Sequence, residues 1–349
     1  MGNRLPQADE FALTSRTLLY PRTSTRIHKL KTARVVASLV TILIVAGVIG
    51  YFVAMGGFSN PIGGPSTSAT HSTAGSRIRH VIVIVMENEG YDQVVGSTSA
   101  PYENLLITRY ALAANYNAVS HPSLPNYIAL VAGDTLRVTN DCRPSQCSFP
   151  NATITRLFDS HGLSWREYAE SMPVNCSQST GQDGLYVPRH NPFVYFSSVT
   201  NNNGSGVTSQ YCNSRVVPFT QFWNDLQSSN LPNFALITPN ICDDGHDCGL
   251  STGDGWLSTV IPRITNSSSF SSTALFVVYD EGSGSGTNSA SHVVCILVSP
   301  FAKPGYSSNT QYSHYSLLAT VERIFSIGNM GRNDSTAGPM SDLFTINLS

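Results

Sequence analysis

Charge is scarce in this chain. Asp, Glu, Lys and Arg make up 12% of its 349 residues, about half the share of an ordinary globular domain. Ser, Thr, Asn and Gly fill the place, a surface chemistry common outside the cytoplasm. A basic excess is missing from most of the chain as well. Seven of the 20 Lys and Arg, but only two of the 22 acids, lie in residues 1–34; the rest holds 13 basic and 20 acidic side chains, a net of −7. That argues against nucleic acid as a partner. No internal repeat is visible. The hydrophobic share of 41% suits a folded enzyme and not a disordered chain.

Charge is absent altogether from Val35 to Gly56, which reads VVASLVTILIVAGVIGYFVAMG. These 22 residues would cross a hydrocarbon layer of ~30 Å as a helix. The basic cluster precedes the run, and no Lys or Arg follows until Arg77. The positive-inside rule then sets the N-terminus in the cytoplasm. A cleaved signal peptide, the alternative, would have a shorter apolar stretch and an A-x-A-like site, and a core helix would show a polar face. The expected organisation is a cytoplasmic basic segment at 1–34, a transmembrane anchor at 35–56, a Gly, Ser, Thr and Pro-rich flexible stalk at 57–76, and an extracytoplasmic domain at 77–349, in a single-pass protein of the cell membrane.

Cysteine is also absent before the anchor's end: all seven lie beyond it. Cys142 and Cys147 are close, as are Cys242 and Cys248, and Cys176 and Cys212 could form a third bridge. Their spacings match zinc knuckles poorly, and an oxidising compartment favours disulfides. Cys295, inside the apolar run VVCILV, reads as a buried free thiol.

Within the outer domain, short apolar runs at His80–Met86, Leu163–Ala169, Asn233–Thr238, Ala274–Tyr279 and Val293–Ser299 read as buried strands. They alternate with helical patterns beginning near Asn126, Ile154, Phe219, Gly255 and Ser316. Residues 171–215, rich in Asn, Ser and Gly, read as a disulfide-pinned insertion. This alternation predicts an α/β domain with a mostly parallel central sheet.

Chemistry-bearing residues cluster just after three of these strands. Glu87 and Asn88 follow the first, Asp243, Asp244, His246 and Asp247 follow a later one, and Asp280 and Glu281 end another. In open α/β sheets, ligands bind at that edge. Carboxylate and amide oxygens are donors that hard cations prefer, and adjacent carboxylates tolerate each other best around a cation. Ser123 sits between two prolines before a helix, where a hydroxyl meets a positive helix terminus. It needs a base or a metal ion to become a nucleophile. Asn126 lies one helical turn on and could donate to a phosphoryl oxygen. Taken singly, each element also reads as a cap, a turn or a solvated loop. His292 opens a strand and could hold phosphate, or be structural; His314, before the last helix, reads as capping or packing.

Jointly, ENEGYD, SHPSLPNYIALVAGD, PNICDDGHDC, YDEG, and HVVCILVSP with HYSLLATVERIF resemble the phosphoesterase family of bacterial and fungal acid phosphatases and bacterial phospholipases C, over about residues 79–328. That family belongs to the alkaline-phosphatase-like superfamily, so the resemblance implies a three-layer α/β sandwich. It also implies a metal-dependent phosphoric ester hydrolase. Glu87 and Asn88 would be the first metal-binding pair and Asp280 and Glu281 the second. Ser123 would be the nucleophile that touches the metal, and Asn126 a donor to phosphate. His246 and His292 would be pocket histidines and Asp244 a further metal ligand. One divalent cation is expected, a second is possible, and the substrate is a phosphate ester. The phospholipase branch usually carries a C-terminal lipid-binding extension, and this sequence stops soon after Ile327, so the expectation is a phosphatase; the alternatives are a phospholipase C-like phosphodiesterase and a silent surface binding protein.

Overall fold

The computed structural model describes residues 77–150, 152–200, 209–283 and 291–348. The expected anchor at 35–56 and stalk at 57–76 lie outside the described residues. Among the described residues, no helix is long and apolar enough to cross a membrane.

The run HVIVIVM forms β1 (His80–Met86), buried along nearly its whole length. An unbroken apolar run of this kind, without alternation, marks a strand covered on both faces. Around it lie β2 (Ala111–Ala113), β4 (Trp165–Ala169), β5 (Val216–Pro218), β6 (Phe234–Thr238), β7 (Thr273–Tyr279), β9 (Cys295–Val298) and β10 (Tyr306–Ser308). They form one eight-stranded sheet in the order β10-β2-β9-β7-β1-β6-β4-β5. β1 runs parallel to β6 and β7, β4 parallel to β5 and β6, and β9 antiparallel to β2 and β7. The predicted α/β class with a mostly parallel sheet is therefore what the chain folds into.

Two helix pairs cover the sheet. Leu130 and Val131 of α2 (Ser123–Ala132) and Leu317, Leu318 and Val321 of α6 (His314–Phe325) meet Val83, Phe234 and Leu236 of the strands. On the other face, Gly253 of α5 (Leu250–Thr265) sits under Met86. Asp254 of α5 also accepts the Tyr102 and Glu103 backbone N–H groups at the start of α1 (Pro101–Arg109), at 3.1 and 2.8 Å. Val83 and Met86 are an odd number of residues apart, so their side chains leave opposite faces of the strand. α3 (Ile154–Ser160) and α4 (Thr220–Gln227) complete the longer helices named here.

Three boundaries differ from the sequence reading, each for a local reason. The run Val293–Ser299 serves two sheets: β8 (His292–Val293) joins β3 (Tyr116–Asn117) and β11 (Tyr312–Ser313) in a small sheet, while β9 joins the large one. The helix expected at Gly255 starts at Leu250. Glycine is a poor helix former, which hid its first turn, yet a Cβ on Gly253 would lie 2.9 Å from the Met86 methyl. The helix expected at Asn126 starts at Ser123, with Pro122 as its cap residue and Pro125 in its first turn, where proline costs no helical hydrogen bond.

Cysteine sulfurs pair as Cys142–Cys147, Cys176–Cys212 and Cys242–Cys248, and Cys295 is free and buried. The described part of the expected insertion, residues 171–200 and 209–215, contributes to the core. Tyr186, Phe193, Tyr195 and Phe196 are all buried in the core.

A carboxyl pair behind the sheet yields a stability prediction. Asp334 accepts the backbone N–H groups of Met330 and Arg332 at 2.6 and 3.0 Å. Its neighbour Glu322 is buried, with Oε1 lacking a hydrogen-bond partner. Burial, and then the Asp334 charge, push the Glu322 carboxyl up to about 9. The folded protein thus holds a proton there that the unfolded chain releases near pH ~4.5, so stability falls as pH rises through that window. Glu322→Gln should flatten this decline between pH 5 and 9, as read by urea midpoints; an unchanged slope would exclude the pair as its source.

Candidate active site

Parallel strands deliver their C-termini to one edge, and the acidic residues gather there. Glu87 follows β1, and its N–H donates to the Asp244 carbonyl at 3.0 Å, tying the loop after β6 to β1. Asp280 follows β7, and its N–H donates to the Met86 carbonyl at 2.9 Å. Its Oδ1 accepts the Glu281 N–H at 2.6 Å and the Asn88 N–H at 3.4 Å. Asn88 has φ 60°, the left-handed region that Asn enters more readily than most side chains. That turn brings its N–H towards Asp280.

Ser123 opens α2, and its hydroxyl does not cap the helix. Ser123 Oγ instead donates to Glu87 Oε2 at 3.0 Å and approaches Glu281 Oε1 at 3.4 Å. Asn126 is wedged behind it. Its Oδ1 accepts the Val119 and Ser120 N–H groups, and its Nδ2 donates to the Ser120 carbonyl at 2.9 Å and reaches Glu281 Oε2 at 3.5 Å. Asn126 therefore shapes the loop that precedes Ser123 and also touches the cluster.

His190 is the residue that sequence reasoning missed. It ends the short turn Pro188–His190, within the segment read as an insertion. Nδ1 lies 3.0 Å from Asp244 Oδ2, and Nε2 lies 3.1 Å from Glu87 Oε1. The ring stacks on Tyr127 of α2, 5.3 Å between centroids. The signal available in the sequence was a His in PRHNPF among aromatics destined for the core, far from any strand end. His121 was missed too. Its Nδ1 lies 2.6 Å from Glu281 Oε2, and its side chain is 45% exposed.

The other expected histidines fare differently. His246 stands at the rim: Nδ1 is 2.7 Å from Asp247 Oδ1, Nε2 is 3.5 Å from Arg189 Nη2, and its ring centroid is 5.8 Å from that of His190. His292 is engaged elsewhere. It donates through Nε2 to the Ala114 carbonyl at 2.8 Å and stacks on Tyr91 at 4.3 Å. His314 is buried between the Tyr116 hydroxyl (3.0 Å) and the Asp280 carbonyl (2.7 Å). Burial lowers its pKa to about 4, so its imidazole is neutral at neutral pH.

Electrostatically the cluster is unbalanced. Glu87, Asp244, Asp280 and Glu281 are all buried. Burial, reinforced by the neighbouring carboxylates, pushes Glu87 and Asp280 well above the usual carboxylate range. Burial and the Glu87 charge raise Glu281 to about 8, and burial raises Asp244 to about 7. Burial also drives His190 well down, so its imidazole is neutral and can offer a lone pair. Glu87 Oε1 and the His190 Nε2 lone pair face each other at 3.1 Å with no hydrogen bond between them, and Asp280 Oδ2 is also buried without a hydrogen-bond partner. One ligand atom from each of Glu87, His190 and Asp244 can be chosen so that the three lie within 4.8 Å of one another. Buried oxygen donors with unmet partners are the chemistry of a divalent-cation site, and these residues fit one.

The Phosphoesterase family profile matches residues 97–328. The chain belongs to the phosphoesterase family. It is 32% identical over 274 residues to a probable acid phosphatase of Kluyveromyces lactis, covering 75% of this chain and 62% of that protein. It is 30% identical over 266 residues to a phosphatidylinositol-3-phosphatase of Mycobacterium tuberculosis, covering 76% and 82%. Against the first fungal relatives the chain spans about three fifths of their length, 62% and 60%. Among solved structures, it superposes on an alkaline phosphatase superfamily protein from Vibrio parahaemolyticus with TM-score 0.52, 14% identity and coverage of 77% and 72%. A phosphonate monoester hydrolase of Agrobacterium radiobacter gives TM-score 0.53, 12% identity and coverage of 76% and 77%. This phosphoesterase-family chain thus has the alkaline-phosphatase-like fold.

Proposed function

We propose that this chain is a divalent-metal-dependent hydrolase of phosphoric monoesters that works through a phosphoserine at Ser123. The observation that carries the reading is the Ser123 hydroxyl, held at a helix N-terminus and aimed at Glu87 and Glu281 inside the buried acidic cluster. Glu87, Asn88, Asp280, Glu281 and Ser123 would hold the cation, with Asp244 and His190 offering donors on the other side of Glu87. When bound, it supplies positive charge against the phosphoryl oxygens and lowers the proton affinity of a nearby hydroxyl.

The chain's own residues do the rest. Ser123 Oγ, 3.0 Å from Glu87 Oε2, gives up its proton to solvent, its proton affinity lowered by the charge beside it, and attacks phosphorus as the ester P–O bond breaks. Asn126 Nδ2 stabilises an equatorial oxygen. His246, at the rim, protonates the leaving oxygen, and a water then cleaves the phosphoseryl bond. The relative named a phosphatidylinositol-3-phosphatase makes phosphoinositide monoesters part of the substrate class to test. The expected anchor supports a membrane-bound, extracytoplasmic enzyme, and the three disulfides favour an oxidising compartment.

The test is hydrolysis of p-nitrophenyl phosphate, phosphatidylinositol 3-phosphate and a phosphodiester by membranes carrying the full chain, before and after chelation and alkaline carbonate washing. Monoester turnover should dominate, vanish with chelator, return with a divalent cation, and stay in the washed pellet. Chelator-resistant turnover would overturn the metal dependence; activity released into the wash would overturn the anchor.

A further inference from the structure

Both ring nitrogens of His190 face carboxylates, Asp244 on one side and Glu87 on the other. Neither is left to tie the ring to the backbone, so its place depends on the Tyr127 stack and on the turn that carries it. Asn191 follows that turn at once and leads into a second one, Pro192–Tyr195. Asn191 is buried, and so is the carboxyl of Glu167 in the middle of β4. At Glu167 the strand pairs with β5 on one side and β6 on the other, which makes it a rigid anchor. The second turn lies on the same face of β4: Phe193 packs on Trp165, two residues before Glu167, at 4.8 Å between ring centroids.

Proton supply decides how Glu167 and Asn191 meet. The Tyr186 hydroxyl donates its one proton to the Ser177 carbonyl at 2.6 Å. Towards Asn191 Nδ2, 3.1 Å away, it can therefore only accept. That leaves Asn191 Oδ1 facing Glu167, 2.7 Å from Oε2 and 3.2 Å from Oε1. Two oxygens so close need a proton between them, and an amide oxygen carries none. Glu167 supplies it as a neutral acid. Burial pushes this carboxyl well above the usual range, which agrees, and a neutral acid with a partner is far less costly to bury than a charge. The reverse amide orientation would ask one hydroxyl proton to serve two oxygens. The Phe193 N–H also reaches the Glu167 carboxyl. One side chain of the sheet thus grips the chain just beyond His190 at two points.

We infer that Glu167 is a positioning residue of this site: through Asn191 and Phe193 it fixes the turn that holds His190 between Asp244 and Glu87, and so presets the imidazole for a cation. This rests on the reading of His190 as a donor to that cation. Contacts behind a ligating imidazole set its orientation, and their loss typically weakens the metal about 10–100-fold.

The experiment measures the Kd of manganese by titration calorimetry on full chains in detergent, for wild type, Glu167→Gln, Glu167→Leu, His190→Ala and the Glu167→Leu, His190→Ala double variant. Glu167→Leu should weaken manganese about 10–100-fold. Glu167→Gln should bind like wild type, because its amide N–H replaces the acid proton on Asn191 Oδ1. The double variant should match His190→Ala within about twofold, since Glu167 acts only through that ring. A folded Glu167→Leu with wild-type Kd, losses that multiply in the double variant, or a Glu167→Gln as weak as Glu167→Leu would each overturn the assignment. Should Glu167→Leu fail to fold, Asn191→Ala removes the acceptor and leaves Glu167 in place, and a wild-type Kd there would overturn it as well. A wild-type Kd in His190→Ala would instead defeat the reading of His190 as a donor. The crystal structure of Glu167→Leu then decides: an unmoved His190 ring overturns the positioning role, and a displaced ring upholds it.

Discussion

Ser123→Ala is expected to abolish phosphomonoester turnover, a loss of about 10⁴-fold or more, because it removes the atom that bonds to phosphorus. Acid-quenching the wild-type enzyme with substrate labelled at phosphorus should trap label on the peptide that contains Ser123, and the variant should trap none. The contrast with His246→Ala is informative. A positioned proton donor contributes typically ~10²–10⁴-fold, so that variant should be slow yet still accumulate label. Little folding cost is expected from Ser123→Ala: the hydroxyl contacts Glu87 and Glu281, Glu281 keeps His121 and Asn126 beside it, and Glu87 holds its own proton when no cation is bound. A folded Ser123→Ala protein with normal turnover, or label on another residue, would dismiss Ser123 as nucleophile.

The parts of this site that could be read in advance are those governed by local rules. A buried parallel strand must be an apolar run, and the residues just past its C-terminus must lie at the ligand-binding edge; that placed Glu87, Asn88, Asp280 and Glu281 correctly beside one another. Ser123 was legible because prolines mark the start of a helix. His190 was not, since it lies on an irregular segment with neither helical nor strand periodicity. Its position is set by the Tyr127 ring and by Asp244 and Glu87, all far from it in sequence, which no local pattern encodes. The same applies to His292. Opening a strand says nothing of which sheet the strand joins, and β8 pairs with β3 in the small sheet, where Tyr91 and Ala114 occupy the imidazole. Asn126 shows a third case: the spacing put it beside Ser123, but its side chain divides itself between loop backbone and cluster.

Chelation should reduce stability as well as turnover, by an amount that reports the site directly. Without a cation, Glu87 and Asp280 keep protons, since burial and mutual repulsion push both well above the usual range. A cation that replaces those protons binds the folded protein alone. At a concentration of 100 times its Kd it adds about 2.7 kcal/mol, which for a domain of this size is a rise in Tm of about 5–10 °C. Proton and cation compete for the same oxygens, so binding should release protons and tighten as pH rises. Asp280→Asn keeps the shape of the side chain, removes one charge from the cluster, and leaves the Asn88 and Glu281 N–H groups an oxygen acceptor. Its cation-free form should melt higher than cation-free wild type, because folding no longer has to load a proton onto that buried carboxyl, while its response to manganese, calcium or magnesium should be lost. Differential scanning calorimetry with chelator and with each cation reads both quantities, and titration calorimetry in two buffers of different ionisation heat counts the released protons. An Asp280→Asn protein whose Tm rises with cation as much as the wild type's would place the metal elsewhere, whatever the activity of either.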